Sequence, residues 1–188
     1  MRLFVAIPLP QDLATAAYDA IPDLPALRRV RPELMHVTLA FLGPTDEARL
    51  DEAAAAVTAA ASRLPPFDAS LDTLGRFPTG GVPRIVWLGT GIGAAEMQTL
   101  ATAVRRELAA RGVQYDAKPF RPHVTLARVR ENVDRDTARA VAAVVERARP
   151  PELRYRAQEI VLFESVLSAK GPRYTRRAAR ALGVGGTK

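Results

Sequence analysis

Only two histidines occur among the 188 residues, and both sit in the same context: HVTLA at residues 36–40 and again at 123–127, with 123 − 36 = 87 positions between them. Successive side chains on a strand face opposite ways. His36 and Thr38 therefore share one face while Val37 and Leu39 share the other, and His123 and Thr125 stand likewise against Val124 and Leu126. Each copy has an apolar face for a core and a face carrying one imidazole and one hydroxyl. If the two halves of the chain are related by symmetry, the two polar faces line one groove from opposite sides. An imidazole titrates at about pH 6.5, so near neutrality one ring can be a base and the other an acid. Transfer at phosphorus needs such a pair: one group activates the attacking oxygen, and the other protonates the leaving oxygen in line. The Thr38 and Thr125 hydroxyls can donate to the non-bridging phosphate oxygens, where charge accumulates. Arg121, two residues before His123, and Arg128, three after Thr125, offer a charge-assisted contact to phosphate or a plane on which a base stacks.

Other chemistries find little support. The chain has no cysteine, which excludes a thiolate nucleophile, a disulfide framework and cysteine-based metal sites. Two histidines with no carboxylate in either motif fall short of the three or four ligands a metal takes, so no metal and no other cofactor is expected. There is no Gly-x-Ser-x-Gly elbow and no phosphate-binding glycine fingerprint; Gly91-Ile92-Gly93 reads as a turn and helix cap. The formal charge is +7, from 27 basic and 20 acidic residues, and only Lys118, Lys170 and Lys188 among the basic ones are not arginine. That balance suits phosphate-bearing partners, although a genomic bias toward Ala and Arg would produce it too. MRLFVAIPLPQDL is too short in its apolar run for a signal peptide or a membrane span, so the expectation is a cytoplasmic protein without a membrane segment.

Along the chain, apolar runs predict strands at 2–8, 35–42, 67–77 and 84–90, and a turn followed by a strand within 118–129. Residues 153–167 read as one long strand or two short ones. Helices are predicted at 11–20, from an Asp46 cap to about 63, at 94–111 with Leu100, Val104 and Leu108 on one face, and at 134–148. Turns are expected at 31–34, 78–83 and 170–172, and 184–188 reads as a frayed tail. Each half thus holds a strand, a long helix and a motif strand. Recurrence at about half the chain length predicts two similar lobes, with no linker dividing them.

The paired His-x-Thr-Leu motifs resemble those of the 2H phosphoesterase superfamily. The flanks RLFVAIPLP, HVTLAFLG, RIVWLG, PFRPHVTLAR and IVLFESVLSAKGPRY resemble its RNA 2′,3′-cyclic phosphodiesterase branch, also called 2′-5′ RNA ligases, over nearly the whole chain. The resemblance implies one bilobal α+β domain over residues 1–188, its two pseudo-symmetric lobes presenting antiparallel sheets to a central cleft with helices outside. It implies a monomer that acts on RNA with a 2′,3′-cyclic phosphate terminus, hydrolysing it without metal to a 2′-phosphate. Carried over residue by residue, His36 resembles the acid that protonates the leaving 3′ oxygen and His123 the base that activates water, although pseudo-symmetry permits either order. Thr38 and Thr125 would bind phosphate oxygens, and Arg128 would lie near the phosphate or the terminal base. Phe41 is a base-stacking candidate whose phase equally allows core packing, and Tyr174 falls near the cleft edge by analogy, in a place where a tyrosine is more often structural. The same motifs would serve a small cyclic nucleotide, an ADP-ribose cyclic phosphate, 2′-5′ ligation, or an RNA-end-binding module without turnover.

Overall fold

The computed structural model describes residues 1–169 and 171–183. Among these residues nine strands and four helices follow one another as β1 (Arg2–Pro8), α1 (Gln11–Tyr18), β2 (Leu27–Arg29), β3 (His36–Pro44), α2 (Leu50–Ala61), β4 (Phe67–Phe77), β5 (Ile85–Thr90), α3 (Ala94–Ala110), β6 (His123–Val129), α4 (Arg135–Arg147), β7 (Leu153–Ala157), β8 (Glu159–Ser168) and β9 (Gly171–Ala181). Short 3-10 turns at Pro32–Leu34 and Glu47–Arg49 precede β3 and α2. Asp46 caps the second of these by accepting from the Ala48 amide, and Asp134 caps α4 through the Thr137 amide. No helix among the described residues is long and apolar enough to cross a membrane.

The expected bilobal α+β architecture is present, and its two sheets are halves of one. Strand order is β7-β4-β5-β6-β3-β1-β8-β9, every pairing antiparallel, with β2 also paired to β6. That order is symmetric about the β6–β3 seam: β1 matches β5, β8 matches β4, and β9 matches β7. The seam itself is a single register pair, Val37 opposite Val124. Since 124 − 37 = 87, equivalent residues of the two halves face each other there, and the pseudo-twofold passes between them. The lobes diverge on either side of this pair, which opens the cleft.

One face of the sheet is sealed by helices. α2 lies against β8, β9 and α3, while α3 reaches β3 and α4 covers β4. Helix α3 has the expected apolar stripe, Met97, Leu100, Val104 and Leu108 being fully buried. Strand β1 is buried along both faces from Leu3 to Ile7, because helices cover one side and a cluster of aromatic rings covers the other.

Two strands have no counterpart in the elements expected from sequence. β2 is three residues long and lies between the helix expected at 11–20 and the turn expected at 31–34. β9 carries Arg173, Arg176, Arg177 and Arg180 and little apolar periodicity; it lies at the edge of the sheet, where charge blunts unwanted pairing. Lys170 of the expected 170–172 turn, and the whole 184–188 tail, lie outside the described residues.

Candidate active site

Antiparallel pairing of the two motif strands decides which side chains meet. Moving one residue from the Val37–Val124 pair puts His36 beside Thr125 and Thr38 beside His123, all four on the face away from the helices. Each imidazole therefore stands next to the hydroxyl of the other motif, and Val37, Leu39, Val124 and Leu126 fill the core beneath. All four polar side chains are half-buried.

The residues just before each motif fix the rings. His36 Nδ1 lies 2.7 Å from the Leu34 carbonyl oxygen, and His123 Nδ1 lies 2.7 Å from that of Arg121. A carbonyl only accepts, so Nδ1 carries the proton and donates. Both Nε2 atoms are left as the exchangeable positions. Burial pulls the His36 pKa down to about 4 against the pull of its carbonyl bond, and the nearby charge of a protonated His123 would lower it further. Burial also lowers the His123 pKa. In the free protein at neutral pH both rings are neutral, each with an acceptor at Nε2.

A bulge in each motif strand extends the chemical face. On β3 the partner of Val5 is Ala40 but that of Ala6 is Thr38, so Leu39 is an extra residue; on β6 Leu126 is the extra residue in the same way. The bulge places two consecutive residues in the core, Leu39 with Ala40 and Leu126 with Ala127, all at most 1% exposed. The alternation resumes shifted by one. Phe41 and Arg128, which simple alternation would set on the core face, emerge beside the threonines, and Phe41 is 54% exposed. Of the two readings open for Phe41, core packing is thus the wrong one. Because 41 + 87 = 128, a phenylalanine and an arginine occupy equivalent places in the two halves.

The walls around the two histidines differ. His36 has the Phe4 ring at 4.8 Å, the Tyr174 ring edge-on at 5.5 Å and Phe163 at 6.4 Å between centroids. His123 has Phe77 edge-on at 5.2 Å and Trp87 at 6.1 Å. Trp87 lies flat across β4: a Cβ on Gly75 would sit 2.2 Å from an indole carbon, so only glycine fits there. Arg121 is 5.9 Å above the Phe77 ring, a cation–π approach next to His123. Burial raises the pKa of the Tyr174 hydroxyl, and the charge of Arg128 pulls it the other way. Tyr174 was expected at the cleft edge by analogy only, and nothing in the sequence pattern pointed to Phe4, Phe77, Trp87 or Phe163, whose roles depend on register. Beside His36 a cavity of about 420 Å³ opens among Arg31, Arg173, Tyr174 and the residues before the motif. Among the described residues no group of three or more His, Cys, Asp or Glu side chains could hold a metal ion.

A family model described as the 2′-5′ RNA ligase superfamily matches residues 11–167. The chain is 32% identical over 182 residues to an RNA 2′,3′-cyclic phosphodiesterase of Archaeoglobus fulgidus, covering 93% of this chain and 96% of that one. It is 33% identical over 186 residues to the protein of that name from Thermus thermophilus, covering 93% and 87%. Among solved structures it is similar to TT0787 of Thermus thermophilus, with a TM-score of 0.79 at 28% identity and 97% and 98% coverage. Escherichia coli LigT complexed with NADP+ superposes with a TM-score of 0.75 at 30% identity, again covering 97% and 98%.

Proposed function

The chain belongs to the 2′-5′ RNA ligase superfamily, and from that premise we propose that it hydrolyses 2′,3′-cyclic phosphate ends of RNA to 2′-phosphomonoesters, using His36 and His123 without a metal. The observation that carries the reading is the tethering of both Nδ1 atoms to backbone carbonyls, which commits both Nε2 atoms to proton transfer, each beside the opposite threonine. The names of the relatives supply the substrate class.

In the proposed step a water oxygen attacks phosphorus and His123 Nε2 takes its proton. The P–O3′ bond breaks opposite, and His36 Nε2–H protonates the departing 3′ oxygen. The phosphate stays on the 2′ oxygen, and one water is consumed per bond broken. Thr38 and Thr125 donate to the equatorial oxygens while charge builds there, and Arg128 holds the phosphate or the terminal base. Phe41 offers its exposed ring to a base. The low pKa of His36 suits an acid that is loaded on demand: the bound phosphate anion draws a proton onto it, and a ring that binds protons weakly gives that proton up readily. The whole chain serves as one bilobal domain, and because both halves of the site come from it, a cytoplasmic monomer suffices.

The test is an oligonucleotide ended by a 2′,3′-cyclic phosphate, incubated with the protein in EDTA, with the phosphate position on the product determined. A 2′-phosphate formed at undiminished rate is expected. A 3′-phosphate product, or turnover abolished by chelation and restored by a divalent ion, would overturn the reading.

A further inference from the structure

Trp87 is the direct partner of Thr125 on the neighbouring strand, so both side chains project to the cleft side of the sheet. The indole does not rise from the sheet but lies down on it, over two glycines. A Cβ on Gly75 would sit 2.2 Å from one carbon of the ring, and a Cβ on Gly89 would sit 2.9 Å from another. A side chain at either place would displace the ring. Phe77 meets it at an interplanar angle of 35° and a centroid distance of 5.1 Å, and His123 at 60° and 6.1 Å, so neither ring lies parallel to it. An indole that served only to pack would be covered from above. This one is half-buried and lines a cavity of about 470 Å³.

The cavity extends from the indole to the outer edge of β4 and the C-terminal end of α4. Its charges balance: Arg76 and Arg149 line it together with Asp72 and Glu146. Arg76 and Glu146 pair at 3.4 Å, and the Asp72 oxygens accept from the Ser70 hydroxyl at 2.6 Å and the Thr73 hydroxyl at 3.0 Å. Such a lining suits a neutral group better than a phosphate. It also has a backbone edge. β7 pairs with β4 only from Phe67 to Leu71, so from Asp72 to Phe77 the outer edge of β4 has no strand partner among the described residues. A strand edge left unpaired presents free amides and carbonyls. A flat apolar ring as floor and a row of donors and acceptors as wall match the two contacts a nucleobase makes, by its face and by its edge.

We propose that this cavity seats the base of the nucleotide next to the RNA end, stacked on Trp87. The assignment rests on the hydrolase reading above, in which Thr125, Arg128 and Phe41 hold the terminal nucleotide. Trp87 is one strand spacing, ~4.8 Å, out from Thr125, a step that one nucleotide spans. A chain that ends in a cyclic phosphate has no nucleotide beyond it, so the second base is the one upstream. The seat makes the protein favour RNA ends over mononucleotides with little demand on sequence, since every base has a π-face.

The experiment uses three compounds with the same 2′,3′-cyclic phosphate end: a mononucleotide, a dinucleotide, and that dinucleotide with its upstream base removed. At fixed pH the upstream base should raise kcat/KM of the wild type about tenfold over the abasic compound. Trp87→Leu should bring that ratio close to one, and Trp87→Tyr should restore part of it. Binding can be read without turnover, because Trp87 is the only tryptophan in the chain. The dinucleotide ended by a 2′-phosphate should quench its emission. The abasic dinucleotide and the mononucleotide, with the same terminal phosphate, should quench far less. Equal quenching by the mononucleotide would put the terminal base on the indole, and a kcat/KM ratio of one in the wild type would leave the seat without a base; either result overturns the proposal. Failure of the wild type to turn over any of the three compounds would instead overturn the hydrolase reading, and the quenching would still decide the seat.

Discussion

The two half-sites begin from the same five residues and end in different environments. His36 stands among Phe4, Phe163 and Tyr174, more deeply enclosed, with its pKa drawn to about 4. His123 stands against Phe77 and Trp87, with Arg121 over the Phe77 ring. The strand neighbouring each motif sets much of this difference. Opposite Thr38 is Ala6, small enough to let the Phe4 ring lean toward His36; opposite Thr125 is Trp87, which fills the equivalent space. Duplication provides two identical imidazoles, and unlike residues surround each of them. Within one chain, then, a repeated motif fixes which side chains are presented, and its flanks fix the surroundings of each.

Removing the carriers is the largest test. His36→Ala and His123→Ala should each lower kcat by about 10³, within the range for one positioned acid or base. The double variant should be little worse than either single one, because the pair acts as a unit. A residual rate above about one tenth of wild type in either variant would show that the two halves are not partners. The threonines come next. Thr38→Val and Thr125→Val should each cost on the order of 10² in kcat, by loss of one donor to the developing charge. The two losses should agree within a few fold, since each hydroxyl flanks the opposite imidazole. A large inequality would mean that one motif alone binds the phosphate.

The pH dependence separates the halves more finely. With the His36 pKa at about 4 and that of His123 below the ordinary 6.5, the kcat/KM optimum should lie between about pH 4 and 6.5, where one ring is protonated and the other is not. Bound phosphate favours the protonated rings, so the limbs of kcat should move upward. Phe163→Leu, which loosens the wall of His36, should raise the acidic limb of kcat/KM; an optimum above pH 7 in the wild type would contradict the depressed values. Stability follows the same groups. A depressed histidine pKa means that the unfolded chain binds protons more readily than the folded one, so stability falls as pH drops from 6.5 toward 4 and changes no further below that on account of His36. The effect of His36 is at most about 3 kcal/mol. Thermal midpoints should therefore decline less over that interval in His36→Gln than in wild type.

How much of this was legible in the sequence differs by feature. HVTLA repeated at 36 and 123 showed that each copy sets an imidazole and a hydroxyl on one face, because strand alternation is a local rule. The strands and helices with strong periodicity were legible for the same reason, as at 94–110. The placing of Phe41 and Arg128 was not: it depends on Leu39 and Leu126 being extra residues, and a bulge exists only relative to a partner strand. The wall of His36 is likewise assembled from β1, β8 and β9, strands far apart in the chain. Strand β9 itself was illegible because an arginine-bearing edge strand buries too little to leave an alternating pattern, and β2 because three residues are too few to show one.

The smallest effect offers the most direct view of one half-site alone. Trp87 is the only tryptophan in the chain, and its ring centroid is 6.1 Å from that of His123. Ring pairs involving His36 bring it to Phe4, Phe163 and Tyr174, all on the other side of the seam. A protonated imidazole accepts an excited electron from a nearby indole far better than a neutral one, so emission should fall as His123 gains its proton. Emission should then titrate with one midpoint below pH 6.5, in keeping with the depressed pKa of His123. The transition should vanish in His123→Gln and persist in His36→Gln. Adding inorganic phosphate should shift the midpoint upward, because an anion in the cleft favours the charged ring. A transition that survives in His123→Gln, or that disappears in His36→Gln, would place the titrating group in the wrong half and break the assignment of separate proton affinities to the two copies of HVTLA.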